Sequence, residues 1–260
     1  MTHLDQLGNR IELITPPRRI VSLVPSITEL LCDLGLRDRL VGCTKFCVHP
    51  KGLWDTCRRV GGTKNVRVDA VRTLQPDLII ANKEENERAT VEALRSTAPV
   101  WVSHVPTVTA ANAMIARLGE LTDRTGAAAR IIAENDDTLR RARLSTSETA
   151  LYLIWQKPWM AAGGDTYISD VMRAVGLENV LADEVRYPEL TRERMTALAP
   201  QRILLSSEPF PFRERHQAEL QQLFPASRVE LVDGEFFSWY GSRLSRLTGG
   251  FSGSASPSTP

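Results

Sequence analysis

The residues with the most chemical potential near the start of the chain are Cys43, Cys47, His49 and Cys57. Thiolate and imidazole are soft or borderline donors. With an acid such as Glu84, Glu85 or Glu208, Cys47 and His49 have the composition of a mixed metal site. Two other readings of His49 stay open: an axial ligand to a metal already held in a bound molecule, or a turn histidine before Pro50. The cysteines lack the paired CxxC spacing that defines a zinc site. Cys32 sits in the apolar run ELLCDLGL and reads as core. Cys43, Cys47 and Cys57 are either reduced thiols or the source of one disulfide.

A second set combines aromatic area with charge. Trp155, Trp159, Trp239 and Tyr240 offer flat apolar surface with a polar edge, suited to a planar or macrocyclic ligand, or else they cap the core. The basic residues Lys45, Lys64, Lys83, Arg213 and Arg243 suit carboxylate or phosphate groups if they gather in one place. Gly163-Gly164-Asp165-Thr166 precedes a helix, so Gly164, Asp165 and Thr166 either cradle an anion on backbone N–H groups or supply an ordinary N-cap. Ser26, Phe46, Asn86 and Ser207 complete the candidate binding set. Glu84, Glu85, Glu208 and Glu235 are carboxylates able to do acid–base work. No nucleophile motif accompanies them, and no catalytic residue is assigned.

These residues are informative because of the elements that carry them. Strand-like runs are expected at 19–24, 40–43, 77–81, 100–105, 150–155, 202–206 and 228–232. Helical patterns are expected at 27–34, 68–74, 84–96, 109–121, 127–144, 166–175, 192–198 and 212–223. Ser26, the run 82–86, the run 155–159, Ser207, Glu208 and Glu235 all follow strands, where open α/β sheets place their binding loops. VDAVRTLQPDLII is echoed by RERMTALAPQRILL, each a short helix, a proline turn and an apolar strand. Such an echo favours two similar α/β halves.

The bulk composition is ordinary. Charged residues are 24%, and 32 basic residues nearly balance 31 acidic ones, which gives no reason to propose nucleic acid as a partner. No run approaches the ~18 apolar residues of a membrane span. The opening MTHLDQLGNRIELITPPRR lacks the basic, apolar and small-residue regions of a secretory signal, so the chain as written reads as cytoplasmic. A misassigned start, or a mature form, would make it periplasmic.

In order along the chain, PPRRIVSLVPSITELLCDLGLRDRLVG, Gly61-Gly62-Thr63, TLQPDLIIA, a long helix, GGDTYISDVMRAVGLENV and TRERMTALAPQRILL resemble the class III periplasmic binding proteins of iron-siderophore and cobalamin importers. The resemblance is nearest the cobalamin-receptor branch, within a subgroup whose loop sequences differ. It implies two Rossmann-like α/β lobes joined by a single long backbone helix, with a ligand cleft between them. The implied division is an extension at 1–16, a lobe at 17–106, linking helices at 107–147, a lobe at 148–247 and a disordered tail at 248–260. It also implies no intrinsic cofactor, and cobalamin or an iron chelate as ligand. A monomer is expected, docking to the permease subunits of an ABC importer through one acid on each lobe, Asp69 and Glu193. The alternatives on the same fold are a cytoplasmic enzyme, or a sensor or metal chaperone.

Overall fold

The computed structural model describes residues 2–246. The chain divides into two compact units. The first holds the chain up to Val105, then Thr109–Glu134 and Tyr240–Arg243. The second holds Pro106–Val108, Asn135–Trp239 and the chain from Leu244. The expected tail at 248–260 lies outside the described residues.

The first unit begins with an antiparallel pair, β1 (Thr2–Leu4) and β2 (Arg10–Glu12). Their turn carries Asp5, whose carboxylate accepts from the N–H groups of Leu7 and Asn9 at 2.9 and 2.8 Å. Next come β3 (Ile20–Ser22), α1 (Pro25–Asp33), β4 (Leu40–Cys43) and β5 (Arg58–Arg59). They are followed by α2 (Val68–Thr73), β6 (Leu78–Asn82), α3 (Arg88–Leu94) and β7 (Val100–Ser103). Pro25 starts α1, where its missing N–H costs nothing. Gly35, at φ +78°, ends it, with Leu36 N–H bonding back to Leu31 O at 2.9 Å.

The sheet runs β5-β4-β3-β6-β7, and every pairing is parallel. β3 and β6 are buried throughout, which is why they read as continuous apolar runs rather than alternating ones. The chain leaves β3 toward β4 on one side and returns to β6 on the other. That reversal is a topological switch point, and in such sheets ligands sit beyond the carboxyl ends of the two strands. The turn after β1 covers the outer strand, since Gln6 N–H donates to Val102 O at 3.1 Å. The pairing-capable edge of β7 is thereby blunted.

Two long helices follow, α4 (Val108–Thr122) and α5 (Thr125–Ala142). At 18 residues, α5 is about 27 Å long. The division between the units falls within it.

The second unit contains β8 (Glu148–Trp155), β9 (Trp159–Ala161), α6 (Tyr167–Ala174), β10 (Leu177–Asn179) and β11 (Glu189–Leu190). After these come α7 (Arg192–Leu198), β12 (Arg202–Ser206), α8 (Glu214–Leu223), β13 (Arg228–Val232) and α9 (Gly234–Ser238). Its sheet runs β11-β9-β8-β12-β13, with β10 beside the first half of β8. Here the switch point lies between β8 and β12. The sequence echo has a topological meaning: α2–β6 and α7–β12 are the helix–strand units that cross the switch point in their respective sheets.

Candidate functional site

In the first unit, the rim at the carboxyl ends of β3, β4 and β6 is held by a buried amide network. Asn86 is 4% exposed. Its Oδ1 accepts from Asn82 N–H at 2.9 Å, and its Nδ2 donates to Leu23 O at 3.2 Å and Thr63 O at 3.0 Å. Asn82 in turn accepts from Glu84 and Glu85 N–H at 2.8 and 3.1 Å, and donates to Ser103 Oγ at 2.9 Å. Asn86, expected to touch ligand, is instead a saturated clamp joining the ends of β3 and β6 to the 61–65 turn. Asn82, a polar residue ending an apolar strand, is its partner, and that placement was its sequence signal.

The clamp presents Lys45, Phe46, Lys64, Glu84 and Glu85 around the rim. Lys45 and Phe46 are exposed, with the ammonium 5.0 Å from the ring centre. Lys64 donates to Glu84 O and lies 4.0 Å from Glu87. Burial raises the Glu85 carboxyl above the usual carboxylate range, against the opposing pull of Lys64. Ser26 is buried in the first turn of α1.

The mixed metal reading is corrected. Cys47 is 1% exposed and turned inward, 3.2 Å from Thr28 Oγ1 and 3.2 Å from Thr44 Oγ1. Burial pushes its thiol far above the ordinary value, with the Cys43 hydrogen bond adding to the effect. His49 is half-buried in the next turn. No group of three or more His, Cys, Asp or Glu side chains able to hold a metal occurs among the described residues.

Arg243 is corrected too. It forms a bidentate pair with Glu29, at 2.9 and 2.7 Å, inside the first unit. The Glu29 side chain is 1% exposed and that of Arg243 14%. Beside it, Ser242 Oγ donates to Asp33 at 2.5 Å. Arg243 thus fastens Tyr240–Arg243 to α1, and Tyr240 is buried.

In the second unit the rim follows β8, β12 and β13. Trp155 is 39% exposed and meets Phe210 edge-on at 5.5 Å. Phe210 meets Phe212 at 4.8 Å, and Phe212 stacks on Trp159 at 6.2 Å with 3° between the planes. His216, 5% exposed, packs on both phenylalanines. Its Nδ1 accepts from Arg213 N–H at 2.9 Å, and burial lowers its pKa, so the ring is neutral at pH 7. Trp159 therefore caps the core, while Trp155 is the member of the cluster open to solvent. Phe210, Phe212 and His216 were missed as site-forming residues. Their signal was the alternating FPF after a strand.

Between the ends of β12 and β13, Ser207 Oγ accepts from Gly234 N–H at 2.8 Å. Glu208 Oε1 accepts from Ser238 Oγ–H at 2.6 Å. Burial raises the Glu208 carboxyl, and the nearby Glu235 and Asp233 add to this. Glu235 and Trp239 lie half-buried beside it in α9 and at its end. Arg213 is exposed and caps α8 through its backbone.

The anion-cradle reading of the glycine pair is corrected. Gly163 and Gly164 N–H groups each donate at 2.8 Å, to Arg186 O and Glu184 O. A Cβ on Gly164 would stand 1.9 Å from Ala182 O. The pair thus allows close backbone approach. Thr166 is the N-cap of α6, accepting from Ser169 N–H at 3.2 Å, and Asp165 accepts from Arg186 N–H.

The expected docking acids occupy matching positions. Asp69 is the second residue of α2, with its side chain 94% exposed, and Glu193 is the second residue of α7. Each helix runs back from the carboxyl rim of its own sheet. The Glu193 carboxyl is lowered by its own backbone N–H and by Thr191, which caps the helix.

Two α/β units, each with its own switch point, place the chain in the class of two-lobed substrate-binding folds. The family described as periplasmic binding protein matches residues 20–226, and the chain belongs to it. The vitamin B12-binding protein of Yersinia pseudotuberculosis is 28% identical over 206 residues, covering 75% of this chain and 73% of that protein. The periplasmic vitamin B12-binding protein of Vibrio cholerae superposes with a TM-score of 0.76 at 24% identity, over 88% of this chain and 93% of that one. A periplasmic heme-binding protein of Pseudomonas aeruginosa gives 0.74 at 21% identity, over 88% and 89%. These solved structures share the fold. The family is one of binding proteins rather than enzymes.

Proposed function

We propose that the chain is the substrate-binding receptor for a metal chelate of the corrinoid, haem or ferric-siderophore class, which it hands unchanged to an ABC importer on the periplasmic side. The observation that carries this reading is the make-up of the two rims. On the rim of each unit stands an exposed aromatic residue: Phe46 with the Lys45 ammonium beside it in one unit, and Trp155, edge-on to Phe210, in the other. Ring faces bind the flat apolar area of a macrocycle, and the charged groups meet its polar substituents. Asp69 and Glu193 are the docking acids in this reading, being exposed, rigidly mounted and equivalent in the two units.

The test is titration of the purified protein with cyanocobalamin, haemin and a ferric siderophore, followed by tryptophan fluorescence. The reading expects saturable binding of one of these and full recovery of the unmodified ligand. Trp155→Ala and Phe46→Ala each weaken binding about tenfold or more, the loss of one stacked ring, or about 1.4 kcal/mol. Unchanged affinity in both variants refutes the assignment of the rims. Conversion of the ligand to a product refutes the receptor reading.

A further inference from the structure

The 23 residues from Lys45 to Arg67 hold six basic side chains and one acid, Asp55, so the segment is net +5 in a chain whose total is +1. The rest of the chain is therefore net negative. All six basic residues, Lys45, Lys51, Arg58, Arg59, Lys64 and Arg67, are exposed. Charge is only half of the pattern. Phe46, Val48 and Trp54 are 49%, 48% and 43% exposed. Single exposed apolar residues are ordinary on a protein surface, but three within nine residues form a patch.

The segment is folded, so these side chains are held at the surface. Cys47 N–H donates to Thr44 O at 3.2 Å, Leu53 N–H to Pro50 O at 3.2 Å and Cys57 N–H to Leu53 O at 3.0 Å. In the 3₁₀ turn Leu53–Asp55, Leu53 is 2% exposed and anchors the turn beside the exposed Trp54. The Arg59 guanidinium lies 4.9 Å from the Trp54 ring centre, and Arg67 Nη2 donates to Arg59 O at 2.7 Å. Ring and cations thus form one surface along β5, the outer strand of the first sheet. Charges on an outer strand keep sheet edges from pairing. That accounts for Arg58 and Arg59, but an exposed tryptophan and valine beside them work against it.

We propose that this face, centred on Val48, Lys51, Trp54, Arg58 and Arg59, adsorbs to an anionic lipid bilayer. The apolar body of a tryptophan sits at headgroup level with its polar edge toward water, while lysine and arginine meet the lipid phosphates. Charge complementarity selects this occupant. The net-negative remainder of the chain is repelled by the same surface, so adsorption turns the β5 edge toward the lipid. The use of the contact rests on the receptor reading: it confines the protein to the plane that holds its importer, with Asp69 only two residues beyond Arg67.

The experiment is flotation of the full chain with vesicles of phosphatidylcholine alone, and with vesicles of equal parts phosphatidylcholine and phosphatidylglycerol, at low and at high salt. The protein is expected to float with the anionic vesicles, to stay in solution with the neutral ones, and to leave the lipid as salt rises. Lys51→Glu with Arg58→Glu should lower the partition about 25-fold or more, about fivefold for each basic charge removed. Trp54→Ser should lower it with the charge unchanged. Circular dichroism reports whether that variant folds, and Val48→Ser reads the same apolar contribution if it does not. Equal flotation with both vesicle types, or undiminished binding by the charge-reversed protein, overturns the proposal. So does a protein that stays in solution with either vesicle, the result expected if the patch meets an acidic protein instead. The vesicles carry neither chelate nor importer, so that failure leaves the receptor reading standing, and a failure of ligand binding in solution leaves adsorption standing.

Discussion

Arg243→Met separates two roles that one arginine can have. If Arg243 served the ligand, its loss would weaken binding and leave stability almost unchanged. The structure instead gives it to Glu29, through two hydrogen bonds of 2.9 and 2.7 Å. Because the Glu29 side chain is 1% exposed, truncating Arg243 takes both hydrogen bonds of a bidentate pair from a carboxylate buried in the first unit. Breaking a buried pair by removing one partner costs about 3–5 kcal/mol. With a urea slope of about 2 kcal/mol/M, a loss of about 3 kcal/mol moves the unfolding midpoint down by about 1.5 M. Removing both charges together, in Arg243→Met with Glu29→Leu, should recover much of that loss, since no charge is then left behind. Urea denaturation of the wild type, the two single variants and the double variant completes the cycle. A single-variant midpoint within about 0.2 M of wild type would refute the assignment of Arg243 to the fold.

Gly164→Ala should cost about 3 kcal/mol or more by overpacking, because the added methyl meets the Ala182 carbonyl at 1.9 Å. Gly126→Ala in α5, which meets nothing within 4 Å, should be neutral or stabilising by up to about 1 kcal/mol; thermal melts compare the two. Glu208 has a raised folded-state pKa, so its protonated form favours the fold. That contribution is present below the ordinary carboxylate value of about 4.3 and is lost as pH rises through the raised folded value. Glu208→Gln should therefore be more stable than wild type at pH 7 and equal to it near pH 4, and a gain that grows toward low pH would contradict the sign. Charge reversal at both Asp69 and Glu193 should abolish ligand uptake by a host carrying the cognate importer while leaving ligand affinity and melting temperature at wild-type values. Uptake that survives reversal at both acids removes them from the docking role.

Much of the fold was legible because the buried parallel strands leave a direct trace. β4, β12 and β13 are apolar runs with fixed bounds, and the structure places them where the sequence does. The α7 boundary was equally plain, with Thr191 as its cap and Pro200 beyond its end. The strands that escaped notice are short. β9, β10 and β11 have three, three and two residues, too few for any period to register. β1 and β2 escaped because their pairing is anchored by Asp5, a single polar residue.

The candidate site was legible in location but less so in role. Strand ends pointed to the loops that form the rims of the two sheets, yet the sequence cannot distinguish a polar side chain that faces outward from one consumed by its neighbours. Asn86, Thr166 and Arg243 are of the second kind, each satisfied by partners from 3 to 214 residues away. Gly164 was ambiguous for a related reason: its backbone is needed for close approach, and a glycine in an anion cradle reads the same way.

The most direct test of the receptor account is isolation of the protein from its native host, with an absorbance spectrum, intact-mass spectrometry and metal analysis of what comes with it. The account predicts a noncovalent corrinoid, haem or iron chelate, released unchanged on denaturation, with metal in proportion to ligand. A colourless, metal-free protein that also fails to bind added cyanocobalamin, haemin and ferric siderophore would contradict it.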